Sequence, residues 1–291
     1  MPYFYLVASV FFIASSSIFG SIFNRKNEGK KDPTPLFNLL LTFVALIGWW
    51  VIYALDFSFN PASLIYSVIF AVGYAVADIG IILALATGPV SLTSLILQLS
   101  LIGATIWGFL FWGETPTWLT WVGLALVVVA IALCLFAPSG NGSDKKPITF
   151  KWIIFAAMAF FGNVTCTVAQ KTHQMDFGGE HGNMMMAFAM VISLLIFIAV
   201  YLFSDKRDTR EIIKKSWCFP AAAGACNLLL NLFIIFLAAT ELPPSLIYPV
   251  ISVGGIMITS LFSAFFLREK LYVWQWFGIG VGAVAIVALS V

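Results

Sequence analysis

Residues 61–86 read PASLIYSVIFAVGYAVADIGIILALA. One charged side chain, Asp78, interrupts a run long enough to cross the hydrocarbon layer of a bilayer, which takes about 20 apolar residues as a helix. Runs of the same kind fall near 2–23, 34–55, 89–112, 117–137, 151–172, 182–203, 217–239, 243–267 and 272–290. They are continuous and about twice as long as the alternating segments of a membrane barrel. With no water in the bilayer core, each run must satisfy its own backbone hydrogen bonds, so helices follow. The expected fold is an all-α polytopic membrane protein of ten spans.

Composition agrees. Apolar residues make up 61% of the 291 and charged residues 10%, which excludes an ordinary soluble globule. The first run lacks a basic leader and ends in Asn24-Arg25-Lys26, which reads as a retained span rather than a cleaved signal. Cys134, Cys166, Cys218 and Cys226 lie in or beside apolar runs without metal spacing and read as small core residues. No metal or cofactor is expected. The net charge of +2 carries no nucleic-acid signal, because the cations flank the spans.

Those cations fall in alternate loops. Arg25, Lys26, Lys30 and Lys31 follow span 1; Lys145, Lys146 and Lys151 follow span 5. Lys206, Arg207, Arg210, Lys214 and Lys215 follow span 7, and Arg268 and Lys270 follow span 9. The even loops hold at most Lys171. The positive-inside bias puts the odd loops in the cytoplasm and both termini outside, in a multi-pass protein of the plasma membrane.

The chain repeats itself. When Pro89 is laid on Pro244, then Ile96, Phe111, Glu114, Trp121, Gly123, Val129, Ala130 and Ile131 meet Ile251, Phe266, Glu269, Trp276, Gly278, Val284, Ala285 and Ile286 without a gap. Spans 3 and 8 also align, Asp78, Ile81, Ile82, Ala86 and Thr87 meeting Asn231, Ile234, Ile235, Ala239 and Thr240. Each copy holds five spans. An odd number sends the second copy in from the opposite side, the inverted repeat that suits alternating access. The expected units are residues 1–137 and 151–291, joined by a polar linker at 138–150 built around Pro138-Ser139-Gly140-Asn141-Gly142-Ser143.

With these residues in view, the chain resembles the drug/metabolite transporter superfamily, specifically its EamA-like members. The resemblance rests on Gly88-Pro89 through Trp112-Gly113-Glu114 and Trp121-Val122-Gly123. It rests equally on Pro243-Pro244 through Leu267-Arg268-Glu269-Lys270 and Trp276-Phe277-Gly278, and on Phe161-Gly162-Asn163 opening the second repeat. It implies spans 1, 3, 4, 6, 8 and 9 around a central cavity, spans 5 and 10 bracing the periphery, and export as the commoner direction. Two features depart from the family: Ile18-Phe19-Gly20 stands where a Trp-Gly-Ser-Asn-like run is usual, and the charges put the termini outside where members more often keep them inside.

Polar residues inside the spans are the site candidates. Asp78 would exchange protons or face a cationic substrate, against a reading as a buried hydrogen-bond partner, for instance of Lys171. Tyr74, one turn earlier, shares its face. Asn227 and Asn231 on span 8 suit a small polar ligand, or bond between helices. Asn163, Thr167, Gln170 and Lys171 form one stripe on span 6, with Lys171 reaching for the outer surface. Thr93, Ser94 and Gln98 on span 4 are matched across the repeat by Tyr248, Pro249 and Val253 of span 9. Tyr248 is either an aromatic wall of the site or a member of an interfacial belt, and Pro249 opens a carbonyl or bends the helix. The expected substrate contacts are Asp78, Tyr74, Gln98, Asn163, Gln170, Asn227, Asn231 and Tyr248.

Other features read as structure. Glu114 and Glu269 satisfy exposed amides at helix starts; Trp49, Trp50 and Met184-Met185-Met186 pack; His173 and His181 flank a loop between spans 6 and 7; Gly278 and Gly282 pack a helix or form a weak homodimer face on span 10. The functional expectation is a secondary carrier, proton-coupled or facilitative, for a small polar metabolite such as an amino acid, amine or sugar. A non-transporting receptor or scaffold is the alternative. An intramembrane enzyme is less well supported, since no zinc, nucleophile-elbow or phosphate-loop motif occurs.

Overall fold

The computed structural model describes residues 1–27, 29–30, 33–88, 90–135, 148–204, 208–265 and 272–290. Pro89, Phe266, Leu267, Arg268, Glu269, Lys270, the 138–147 part of the linker, Lys31, Lys206 and Arg207 lie outside the described residues.

Ten apolar helices correspond to the ten expected spans. They are α1 (Pro2–Lys26), α2 (Pro33–Leu55), α3 (Ser63–Thr87), α4 (Val90–Phe111), α5 (Trp118–Leu135), α6 (Phe150–Asp176), α7 (Gly182–Phe203), α9 (Cys218–Ala238), α10 (Pro244–Phe265) and α11 (Val273–Ser290). Among the described residues there is no strand. Among the described residues, eight of the helices are long and apolar enough to cross a membrane, and α5 and α11 are shorter apolar helices. Pro2, Pro33 and Pro244 open three of them, where a missing backbone N–H costs nothing. Thr149 caps α6 by accepting from the Trp152 backbone N–H at 3.2 Å.

The chain departs from the sequence expectation at two helix boundaries. A short eleventh helix, α8 (Thr209–Ser216), occupies the charged loop after α7. Its Ile212 is buried with Phe23 and Leu36, and its Glu211 pairs with Lys30 and, at 2.9 Å, with Lys215. Helix α6 also continues to Asp176, so His173 and Gln174 are helical and buried rather than part of a loop. His173 is held within 2.7 Å of Ser63 Oγ on α3.

The most extensive packing is between the two halves of the chain. Helix α3 lies along α6, and α1 along α9; α2 meets α9 as α7 meets α3; α1 meets α10 as α6 meets α4. The pairs α2–α7, α4–α10 and α5–α11 are the other large contacts between the halves, and α5 touches α10 less extensively. Exchanging α1 with α6, α2 with α7, α3 with α9, α4 with α10 and α5 with α11 maps the large contacts onto one another, as a two-fold relation between five-helix copies predicts. The α3–α6 approach is backbone-close: a Cβ on Gly162 would stand 2.5 Å from the Ala77 nitrogen and 2.6 Å from the Gly73 carbonyl. Gly278 and Gly282 pack inside the fold, against Cys134 and Met257. Trp49 and Met184 to Met186 are fully buried in one cluster. Of the cysteines expected in the core, Cys134 and Cys166 are buried, Cys226 is half-buried, and Cys218 is exposed at the start of α9.

A cavity between the halves

A cavity of about 250 Å³ lies in the middle of the bundle. Tyr74 of α3 and Gln98 of α4 reach it from the first half; Asn163 and Gln170 of α6, and Asn227 and Asn231 of α9, reach it from the second. The structure thus brings six of the eight expected contact residues to one space. Five of the six sit near the middle of their helices, and Gln170 lies in the second half of α6.

The amides are ordered by one another. Gln170 Nε2 donates to Asn231 Oδ1 at 2.9 Å, and Asn231 Nδ2 donates to Asn227 Oδ1 at 3.1 Å and to the Asn227 carbonyl at 2.9 Å. Across the cavity Ser252 of α10 donates to Gln98 Oε1 at 3.2 Å and to the Gln98 carbonyl at 3.1 Å. Each amide carries two donors and an acceptor with two lone pairs, so these bonds leave hydrogen-bonding capacity for a solute. Ile13, Leu97, Leu101 and Ile251 supply apolar wall, the mixture that small-molecule sites combine.

Two expected residues are placed elsewhere. Asp78 is not among the residues lining the cavity, although Tyr74 and Ile81, one turn to either side on α3, are. It is half-buried, and among the described residues its carboxylate has neither a hydrogen bond nor an ion pair. Lys171 is not its partner: that ammonium is buried and donates to the Ala238 carbonyl of α9 at 2.7 Å, rather than reaching for the surface. Tyr248 is 1% exposed, so it belongs to the packed interior and not to an interfacial belt. Its hydroxyl points to the Thr167 carbonyl at 3.5 Å. Pro249 sits inside α10 without ending it.

A family model described as the EamA-like transporter family matches residues 1–136 and 150–291. The chain belongs to the EamA-like transporter family. Members of this family are membrane transporters of small molecules rather than enzymes, and this chain is a multi-pass membrane protein. No curated protein matches it in sequence. A solved structure described only as the crystal structure of a protein is similar at a TM-score of 0.75 and 12% identity, over 98% of this chain and 94% of that one, which shows the shared fold.

In this EamA-like chain some lining residues carry little sequence signal. Ser17, Ser100 and Cys166 border the cavity, and Ser252 orders Gln98, yet small hydroxyls and thiols in apolar helices are ordinary packing residues. Only their meeting at one depth from several helices distinguishes them. Glu114, in the α4–α5 loop, accepts from the Ser245 backbone N–H at 3.3 Å, capping α10 of the other half rather than the next helix in sequence.

Proposed function

We propose that the chain is a secondary carrier that moves a small polar metabolite across the plasma membrane by alternating access, with the odd loops in the cytoplasm. The observation that carries the reading is the mid-membrane cavity lined by Gln98, Asn163, Gln170, Asn227 and Asn231 from both halves. A polar lining at this depth is costly unless water or solute occupies it. Rocking of one half against the other exposes such a site to each side in turn. Amide linings suit neutral or zwitterionic solutes such as amino acids or sugars. Asp78, unpartnered one turn from the lining, supplies the place for a proton or a cationic amine, which makes the carrier either proton-coupled or selective for cations. Export is the favoured direction.

The test is uptake and counterflow of a panel of amino acids, amines and sugars in proteoliposomes, with and without a pH gradient. The reading expects at least one member to be transported, transport to fall at least tenfold in Asn231→Leu, and any response to the gradient to vanish in Asp78→Asn. Counterflow of no member of a broad panel would favour a receptor or scaffold. A gradient response that survives in Asp78→Asn would remove Asp78 from coupling.

A further inference from the structure

The central cavity is two-sided and carries no charge of its own. Among the described residues that line it, none is Asp, Glu, Lys, Arg or His. Its polar side comes from α6 and α9, with Asn163, Gln170, Asn227 and Asn231, and Gln98 reaches in from α4. The remainder is largely apolar, and there Phe70 and Tyr74 of α3 present rings 6.1 Å apart and 27° from parallel. Its 250 Å³ is less than the sites of drug-sized ligands provide, about 300–1,000 Å³.

The polar side is not closed on itself. Gln170 is the informative residue. It is 1% exposed and its Nε2 donates to Asn231, while its Oε1 has no partner among the described residues and is not sealed from the space it lines. The Asn163 side chain makes no hydrogen bond among the described residues, and Asn227 Nδ2 donates to none of them; Asn227 takes part only as an acceptor from Asn231. An acceptor and several N–H donors therefore face one space, and each is costly there unless a solute or water meets it.

A carboxylate offers acceptors only, and an ammonium donors only. Either leaves part of this wall unmatched and brings a charge into the membrane with no counter-charge in the lining. A zwitterion brings two such charges. Asp78 is not in the lining. A sugar carries hydroxyls on all sides, and those against the apolar side would be desolvated without partners. A carboxamide has an acceptor and N–H donors on one flat edge, and a ring behind that edge meets aromatic wall.

We infer that the cavity takes a small uncharged carboxamide or ring lactam, its N–H meeting Gln170 Oε1, its oxygen accepting from the free N–H groups of Asn163 and Asn227, and its apolar part lying on Phe70 and Tyr74. This rests on the reading of the cavity as a solute site and narrows it: amino acids, amines and sugars are disfavoured, and Asp78 is left to the proton.

The experiment is a thermal-shift titration of the full chain in phosphatidylcholine nanodiscs at neutral pH. The probes are nicotinamide, its anionic and cationic counterparts nicotinate and pyridine-3-carboxamidinium, zwitterionic phenylalanine, and 3-acetylpyridine, which keeps the carbonyl oxygen and lacks the N–H donors. Nicotinamide is expected to raise the melting temperature by binding the folded form, and the other four to leave it unchanged. Its apparent affinity is expected to fall at least tenfold in Gln170→Leu and in Asn163→Leu. The Asn163 side chain bonds to nothing among the described residues, so its variant melts as wild type without ligand and decides the matter should Gln170→Leu fold poorly. No response to nicotinamide, an equal response to any of the other four probes, or a nicotinamide response that persists in Asn163→Leu would overturn the assignment. Counterflow of the same probes in proteoliposomes separates this from the carrier reading. Nicotinamide binding without counterflow keeps the assignment and counts against the carrier; counterflow of phenylalanine but not of nicotinamide keeps the carrier and overturns the assignment.

Discussion

Lys171 Nζ donates to the Ala238 carbonyl oxygen at 2.7 Å, tying α6 to the last turn of α9. The last carbonyls of a helix have no partner within it and carry its partial negative charge, so a buried ammonium fits there. Replacing Lys171 with Met keeps the stem and removes the donor. The expected loss is about 1–3 kcal/mol of stability, the cost of leaving a buried polar group unpaired. Thermal unfolding in detergent measures it, and a melting temperature equal to wild type would contradict this role.

Glu114 sits near the same end, and burial raises its carboxyl above the ordinary 4.5, partly opposed by Ser245 and by Lys171. A carboxyl raised on folding adds stability that is complete below its unfolded value and is lost as pH rises through its folded value. Wild type should therefore gain on Glu114→Gln as pH falls from neutral towards 4.5. A constant difference in melting temperature across that range would show that Glu114 does not titrate with folding.

At the opposite end, Lys30 and Lys215 hold Glu211 down to about 2 from 4.5. The sign is reversed here: the contribution is present above 4.5 and fades as pH falls through about 2. The groups are exposed, so the effect on global stability is small and salt-sensitive. Its expected readout is local. Amide exchange in α8 should quicken in Glu211→Gln, and exchange at wild-type rates would mean that apolar burial of Ile212 holds the helix by itself.

The close approach of α3 and α6 gives a steric prediction. Gly162→Ala places a methyl group within 2.6 Å of backbone atoms of α3, which cannot swing aside. Such overpacking costs about 1–3 kcal/mol. Gly280→Ala, with nothing within 4 Å of the added carbon, should be neutral or better. Equal melting temperatures for the two variants would mean that the two helices are further apart than described.

Much of this was legible in the sequence, and the exceptions have physical reasons. Apolar runs report helices because the bilayer leaves the backbone no other partner, and Asn163, Gln170, Asn227 and Asn231 stand out because amides are costly in such runs. Helix α8 does not stand out: eight residues rich in charge look like loop until Ile212 finds Phe23 and Leu36. Gln174 looks like loop for the same reason, yet it and His173 are buried in the last turn of α6, where His173 lies 2.7 Å from Ser63 Oγ. The partner of Lys171 is a backbone carbonyl, which leaves no trace in side-chain spacing. That Tyr248 turns into the packed interior, and that Asp78 does not line the cavity although Tyr74 and Ile81 on either side of it do, depends on helix rotation, which repeat alignment does not determine.

The central claim is that the space between the halves communicates with each face of the membrane in turn. Asn227→Cys, in a background with the four native cysteines replaced by alanine, tests it most directly. A small membrane-impermeant thiol reagent is applied from one side and then from the other to protein of known orientation. The account expects Asn227→Cys to be modified from both sides. Modification from neither side, or from one side alone under all conditions, would contradict it.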